Sequence, residues 1–217
     1  MYLSGEVRWF SKGGADDALE QWITSGGLAE SQEQRVDRYL VLPGCTTVGI
    51  KIREGNFEVK ARTSPSEFVA YTDTVAGFCN SWVKWSRPLD DLPGVAAPGG
   101  DDERWVFVRK QRAVRLFSLE SGEPEEVAYG GHWLAAGCQV EKTDIEVLPS
   151  TDGNKQPEDV DWSLAERWWS FSFEAFGESA QLLRNLDVTV RYVAHSEPAI
   201  ALGRNDSMSY PEWLSAL

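Results

Sequence analysis

Cationic side chains are scarce in this chain. Its 21 Lys and Arg stand against 34 Asp and Glu, which gives a formal net charge of -13 and a pI near 4.6. Binding to double-stranded nucleic acid is driven by a basic surface that displaces counterions, so that class of partner is not expected. Histidine is scarcer still. His132 and His195 are the only two, and no HxH or HxxxH pattern joins them to a shared metal or a triad. Cys45, Cys79 and Cys138 are odd in number, widely spaced and without a CxxC pair. That argues against a disulfide framework and a thiolate zinc site. Apolar runs long enough to span a bilayer, ~18–20 residues, are missing. Met1 to Phe10 carries Glu6 and Arg8 and has no apolar stretch of the secretory kind. Gly94 to Gly100 has glycines but no GK[ST], so it is no P-loop. Together these absences lead us to expect a cytoplasmic protein with no membrane partner.

What is present is β patterning and tryptophan. Ten Trp residues suit barrel walls and pocket lids, because each carries much buried area and one N–H that wants a partner. Period-two alternation marks strands over Glu6–Phe10, Gln34–Leu42, Thr47–Thr63 (a hairpin), Glu67–Val75, Cys79–Ser86, Arg104–Leu119, Glu126–Tyr129, Trp133–Val147 and Arg167–Phe176. Helical spacing marks Asp16–Ile23 and Ser179–Leu186. The stretch DVTVRYV that follows fits either a strand or a longer helix. Ser209 before Pro211 and Glu212 predicts a short C-terminal helix. Loops rich in Pro, Gly and Asp fall near 88–103 and over Pro149–Asp159. The strand pattern resumes unchanged after the first, so residues 1–217 are read as one domain. Many strands with few helices and no βα alternation predict a mainly β (α+β) fold: a closed or nearly closed antiparallel barrel, or tunnel, of about eight strands with a few flanking helices.

The stretch VGIKIREGNFEVKAR, Val48 to Arg62, is the most informative. Residues two apart share a strand face, so Lys51 and Arg53 lie together opposite Ile50 and Ile52. Glu58, Lys60 and Arg62 lie together opposite Phe57, Val59 and Ala61. The cationic face can point outward to water, since half-exposed antiparallel sheets alternate in this way. Clustering argues for the inside. Lys51, Arg53, Lys60, Arg62, Arg104, Arg109, Lys110, Arg112 and Arg115 are nine of the 21 basic residues. Other strands also place Ser170, Ser172 and Glu174, or Glu141 and Thr143, on one side. Like charges around a lumen are tolerated only with interleaved carboxylates or a bound anion. Phosphates match both Arg forks and Lys point charges. Which side of Arg109–Arg115 faces inward stays open.

The order of a Glu6 strand, a helix, Asp37–Leu40, the basic hairpin, the strand Val108–Arg112, the Glu strand Val140–Ile145 and Ser172–Glu174 before a helix resembles the CYTH superfamily, the triphosphate tunnel metalloenzymes. The resemblance covers roughly residues 4–190. It implies an eight-stranded tunnel that binds a small phosphorylated anion with Mg²⁺ or Mn²⁺ and hydrolyses a triphosphate. It implies phosphate ligation by Lys51, Arg53, Lys60, Arg62, Lys110 and Arg112, joined by Arg8. It also implies metal binding by Glu6, Glu141 and Glu174, with Glu58 and Arg62 in catalysis. One departure stands out. Where the family carries E-x-E-x-K, this chain has Glu6, Arg8 and Phe10, so a cation replaces a carboxylate at the metal position and a two-metal mechanism is weakened. Three readings follow: a metal-dependent triphosphatase, an inactive binding module on the same fold, or a β-rich protein-interaction domain with its cations turned outward.

Overall fold

The two-residue period becomes a barrel. The computed structural model describes residues 2–25, 30–92, 104–128, 134–149, 160–196 and 199–217. Its strands are β1 (Tyr2–Lys12), β2 (Glu30–Leu40), β3 (Val48–Arg53), β4 (Asn56–Arg62), β5 (Glu67–Ala70), β6 (Ala76–Pro88), β7 (Trp105–Ser118), β8 (Glu125–Val127), β9 (Gly137–Pro149) and β10 (Glu166–Phe176). Its helices are α1 (Asp17–Ser25), α2 (Leu182–Ala194) and α3 (Tyr210–Ser215). Eight strands run in the order β1-β10-β9-β7-β2-β3-β4-β6, and β6 pairs back onto β1 to close the ring. All pairings among these strands are antiparallel; β5 and β8 extend the sheet beside β6 and β7.

Alternation then sorts the side chains. The outward residues Val7, Trp9, Phe117, Val140, Phe171 and Phe173 join Leu19, Trp22 and Ile23 of α1 and Leu186, Val190 and Val193 of α2 in the main apolar core. The core therefore lies between barrel and helices, which leaves the interior free for polar groups. Gly77 is required by this packing: a Cβ there would stand 2.7 Å from Ser207 Oγ and 2.8 Å from Trp9. The β3–β4 hairpin turns on Glu54 (φ 47°) and Gly55 (φ 74°) between the paired residues Arg53 and Asn56. Two successive left-handed residues make the tight turn that matches strand twist, and the turn fixes which hairpin residues face inward.

One end of the barrel is closed. Ser209 caps α3, its hydroxyl accepting from the Glu212 N–H while the Glu212 carboxylate accepts from the Ser209 N–H. The helix lays Trp213 flat on Phe10, with centroids 4.9 Å apart, and Tyr210 on Tyr39 at 5.1 Å. Val106, Val108, Ile145, Val147 and Leu214 complete this apolar floor.

Two expectations are revised. The strand over Glu67–Val75 ends at Ala70, because the Thr72 hydroxyl accepts from the N–H groups of Thr74 and Val75 and turns the chain. DVTVRYV continues α2. Leu182, Asn185, Leu186, Thr189, Val190 and Val193 form one buried helical stripe, and this packing outweighs the β preference of its Val and Thr. Residues 93–103, 150–159 and His132 lie outside the described residues. No described helix is long and apolar enough to cross a membrane.

Candidate functional site

The barrel encloses a cavity of about 610 Å³, within the range of small-molecule sites. Its lining has two halves. On β2, β3 and β7, the inward residues include Arg35, Tyr39, Lys51, Arg53, Lys110 and Arg112; on β1, β9 and β10 they include Glu6, Arg8, Gln139, Glu141 and Glu174. Glu58 and Lys60 of β4 and Trp82, Lys84 and Ser86 of β6 join the halves, with Tyr210 of α3 at the floor. Eight cationic side chains line the space against four carboxylates, with Asp37 fully buried behind them as a fifth. The formal surplus is three positive charges inside a protein of net charge -13.

Asp37 organises the first half. Its carboxylate lies 3.1 Å from Lys110 Nζ and 3.1 Å from Arg53 Nε, and 3.6 Å from both Lys51 Nζ and Arg35 Nε. Burial alone would raise its pKa, but Lys110, Lys51 and the two arginines reverse that and hold it well below the usual carboxylate range. The surplus shows on the cations. Burial first, and then Arg53 and Arg35, push Lys51 down to about 8. Lys51 also faces Glu58 at 3.1 Å, which Lys84 approaches from the other side at 3.2 Å.

Arg8 organises the second half. Its Nε donates to Glu6 at 2.9 Å, and its Nη1 to Ser170 Oγ at 3.0 Å and Glu141 at 3.4 Å. Arg112 Nε donates to Glu141 at 2.7 Å. Lys60 bridges Glu6 and Glu174, whose strands pair them directly. Burial would raise the Glu6 pKa, but Lys60 and Arg8 hold it down at about 2. Arg112 and Arg8 likewise overcome burial at Glu141 and keep it ionised.

The register left open on β7 is resolved. Lys110 and Arg112 face the cavity, whereas Arg109 pairs with Glu146 and Arg115 with Glu126 on the outside. Of the residues expected at the site, Glu6, Arg8, Lys51, Arg53, Glu58, Lys60, Lys110, Arg112, Glu141 and Glu174 all line the cavity. Arg62 does not. It reaches past the floor to Asn80 at 3.0 Å and to Glu212 of α3 at 3.5 Å, so it anchors the closing helix. Sequence reasoning missed Asp37, Arg35, Tyr39, Lys84 and Tyr210. The alternation Arg35, Asp37, Tyr39 was a usable signal. Tyr210 had none, because its place depends on where α3 docks.

The carboxylates do not fit a resident divalent ion. Among the described residues, no three His, Cys, Asp or Glu side chains gather around a common point. The Arg8 guanidinium stands between Glu6 and Glu141 and bonds to both, where a shared cation would have to sit. Two donors beside the space are left without a partner. Tyr210 Oη and Trp82 Nε1 are buried at the lining with no hydrogen-bond partner among the described residues, and an acceptor-only ligand can take both.

No protein-family model and no curated protein matches this chain.

A pH dependence follows from Lys51. An anion placed beside it offsets the burial and the neighbouring arginines that depress its pKa, which then rises from about 8 toward the ordinary lysine value. Binding must therefore take up a proton between pH 8 and the ordinary lysine pKa of ~10.4. The contribution of Lys51 to affinity is expected to be flat below pH 8 and to fall by up to about tenfold per pH unit above it. Calorimetry in buffers of different ionisation enthalpy at pH 9 reads the proton uptake directly. Identical heats in all buffers would contradict the assignment.

Proposed function

We propose that the barrel interior binds a small, multiply charged anion, for which a linear phosphate chain is the best match, and that it does so without a resident metal. The observation that carries the reading is the charge surplus: eight cations converge from six strands on one cavity lined by only four carboxylates. Evolution toward solubility alone places cations on the outer surface, where water solvates them. Enclosed cations cost desolvation energy that a polyanion offsets. Arg8, Arg53 and Arg112 offer planar forks to phosphate oxygens, and Lys51, Lys60 and Lys84 offer point charges. The eight-stranded antiparallel barrel is compatible with the triphosphate tunnel fold. In that family Mg²⁺ or Mn²⁺ would supply phosphoryl polarisation. Here Glu6 and Glu141 are already paired with Arg8 between them and with Lys60 and Arg112 beside them, and this favours the binding module over the hydrolase.

The test is thermal unfolding with tripolyphosphate in EDTA, beside a phosphate-release assay over a panel of triphosphates with Mg²⁺ and Mn²⁺. Ligand at a hundred times its Kd stabilises by ~2.7 kcal/mol, which for a chain of this size is an upward shift of roughly 5–10 °C. We expect that shift in EDTA and no phosphate release. Absence of the shift would sink the proposal. Turnover that appears only with metal would replace it with the triphosphatase reading.

A further inference from the structure

Glu58 differs from the other carboxylates of the cavity in how it is held. Glu6 accepts a hydrogen bond from Arg8 Nε at 2.9 Å. Glu141 accepts from Arg112 Nε and from Thr143 Oγ1, both at 2.7 Å. Glu174 accepts from Lys60 Nζ at 3.2 Å. Behind them, Asp37 accepts from Arg53 and Lys110, both at 3.1 Å. Glu58 instead presents one atom, Oε2, to two ammonium groups from two strands. Lys51 Nζ of β3 lies at 3.1 Å and Lys84 Nζ of β6 at 3.2 Å. That oxygen is buried, yet it makes no hydrogen bond of regular geometry among the described residues. Charge alone holds it between the two lysines.

The position suits an exchangeable group. Glu58 is 7 % exposed, whereas the Lys84 side chain is 34 % exposed, so the cluster meets solvent on its Lys84 side. Among the described residues, Glu58 is the one carboxylate within ion-pair distance of Lys84. Lys84 also stands directly opposite Lys60 in the β4–β6 pairing, where like charges repel. An oxygen that draws two ammonium groups together inside the barrel stands where a phosphate oxygen would.

We propose that Glu58 is a built-in counter-anion that sets a threshold for what the cavity admits: an anion that uses the Lys51–Lys84 pair has to displace the Glu58 carboxylate. This deepens the anion-binding function proposed above and rests on it. A tethered carboxylate competes at a high effective concentration, on the order of millimolar or more. The apparent Kd of the incoming anion rises by the inverse of the fraction of molecules in which the pair is open. Sulfate, orthophosphate or a lone carboxylate has few further contacts, and the rise turns it away. A chain of phosphates keeps Arg8, Arg53 and Arg112 as further partners in the same cavity, so it binds despite the same rise. The ligand class admitted is the multiply phosphorylated one.

The test is titration calorimetry in EDTA with tripolyphosphate, and with orthophosphate read by competition against it, on the parent, Glu58→Gln and Glu58→Asp. Gln keeps the shape of the side chain and removes its charge. Asp keeps the charge but is one methylene shorter, so it no longer reaches both lysines. We expect Glu58→Gln to tighten both ligands by about tenfold or more and by similar factors, since both are relieved of the same competitor. Glu58→Asp should tighten both as well, by about threefold or more. A carboxylate that acts only through its field gives a different pattern. The gain in Glu58→Gln then grows with ligand charge, and Glu58→Asp binds as the parent does. Either result would overturn the inference, and the Asp result does so even where the Gln variant fails to fold. Affinities unchanged or weakened in both variants would also overturn it and leave Glu58 in structure alone. In each of these cases tripolyphosphate bound by the parent leaves the anion site standing. Binding of neither ligand by the parent or by either variant would remove the anion reading itself, and the threshold with it.

Discussion

Asp37→Asn is expected to lower the melting temperature by on the order of 10 °C, and tripolyphosphate is expected to restore most of the loss. Asn keeps the shape of the side chain and one acceptor oxygen but removes the charge. Four cations then lose their common counterion: Lys110, Arg53, Lys51 and Arg35. Asp37 is completely buried, and the side chains of Lys110 and Lys51 are only 5 % and 14 % exposed, so solvent screens little of the effect. Removing one partner of a buried ion pair costs about 3–5 kcal/mol, and each kcal/mol moves the midpoint of a chain this long by roughly 2–4 °C. Lysine deprotonation gives partial relief: Asp37 helps to hold the Lys51 value up at about 8 in the parent, so Lys51 falls further in the variant and the loss is expected to shrink as pH rises toward 8. Rescue is the informative part. A polyanion supplies the missing negative charge from the cavity side, so it should raise the melting temperature of the variant more than that of the parent. A loss that polyphosphate does not repair would place Asp37 in structure alone.

Arg8→Glu is the second large effect. It turns the group Glu6, Arg8, Glu141 into three carboxylates and changes the local charge by two units. Glu6 loses its 2.9 Å partner, and Glu141 loses one of the two guanidinium groups that touch it and keeps that of Arg112. Without metal the variant is expected to be several kcal/mol less stable than the parent at neutral pH, by the usual cost of an uncompensated buried charge, about 3–5 kcal/mol. Millimolar Mn²⁺ or Mg²⁺ should recover much of that loss, since both ions favour clustered carboxylate oxygens. The parent should show no such response, because its guanidinium already occupies the position. Thermal scans of both proteins with EDTA and with Mn²⁺ decide the matter. Metal stabilisation of the parent itself would show that Arg8 does not fill the role assigned to it.

Much of this arrangement was legible in the sequence, because a strand exposes its two faces in a two-residue code. Lys51 with Arg53, and Glu58 with Lys60, could be placed on common faces before any coordinates, and the Glu54-Gly55 turn fixed their register. The same code failed at Arg62. It shares a face with Lys60, yet it lies one step nearer the floor, where α3 brings Glu212 within reach. Alternation gives the face of a residue but not its height along the barrel axis. On β7, cations occupy both faces, so only the pairing of Lys110 with Ile145 and Arg112 with Thr143 on β9 could separate inner from outer. Asp37 was visible as a letter but not as the hub of four cations. That role arises when β2, β3 and β7 become neighbours, and β7 is distant in the chain. The helix over DVTVRYV was hidden for a similar reason, since its stripe gains stability only against the barrel wall.

Isothermal titration of the protein with tripolyphosphate in EDTA, at low and moderate salt, tests the central claim most directly. One ligand per chain is predicted, with affinity that weakens as salt rises and drops at least a hundredfold in Lys51→Glu, where the charge reversal faces the ligand. No saturable heat in either salt would contradict the claim, as would binding that Lys51→Glu leaves intact.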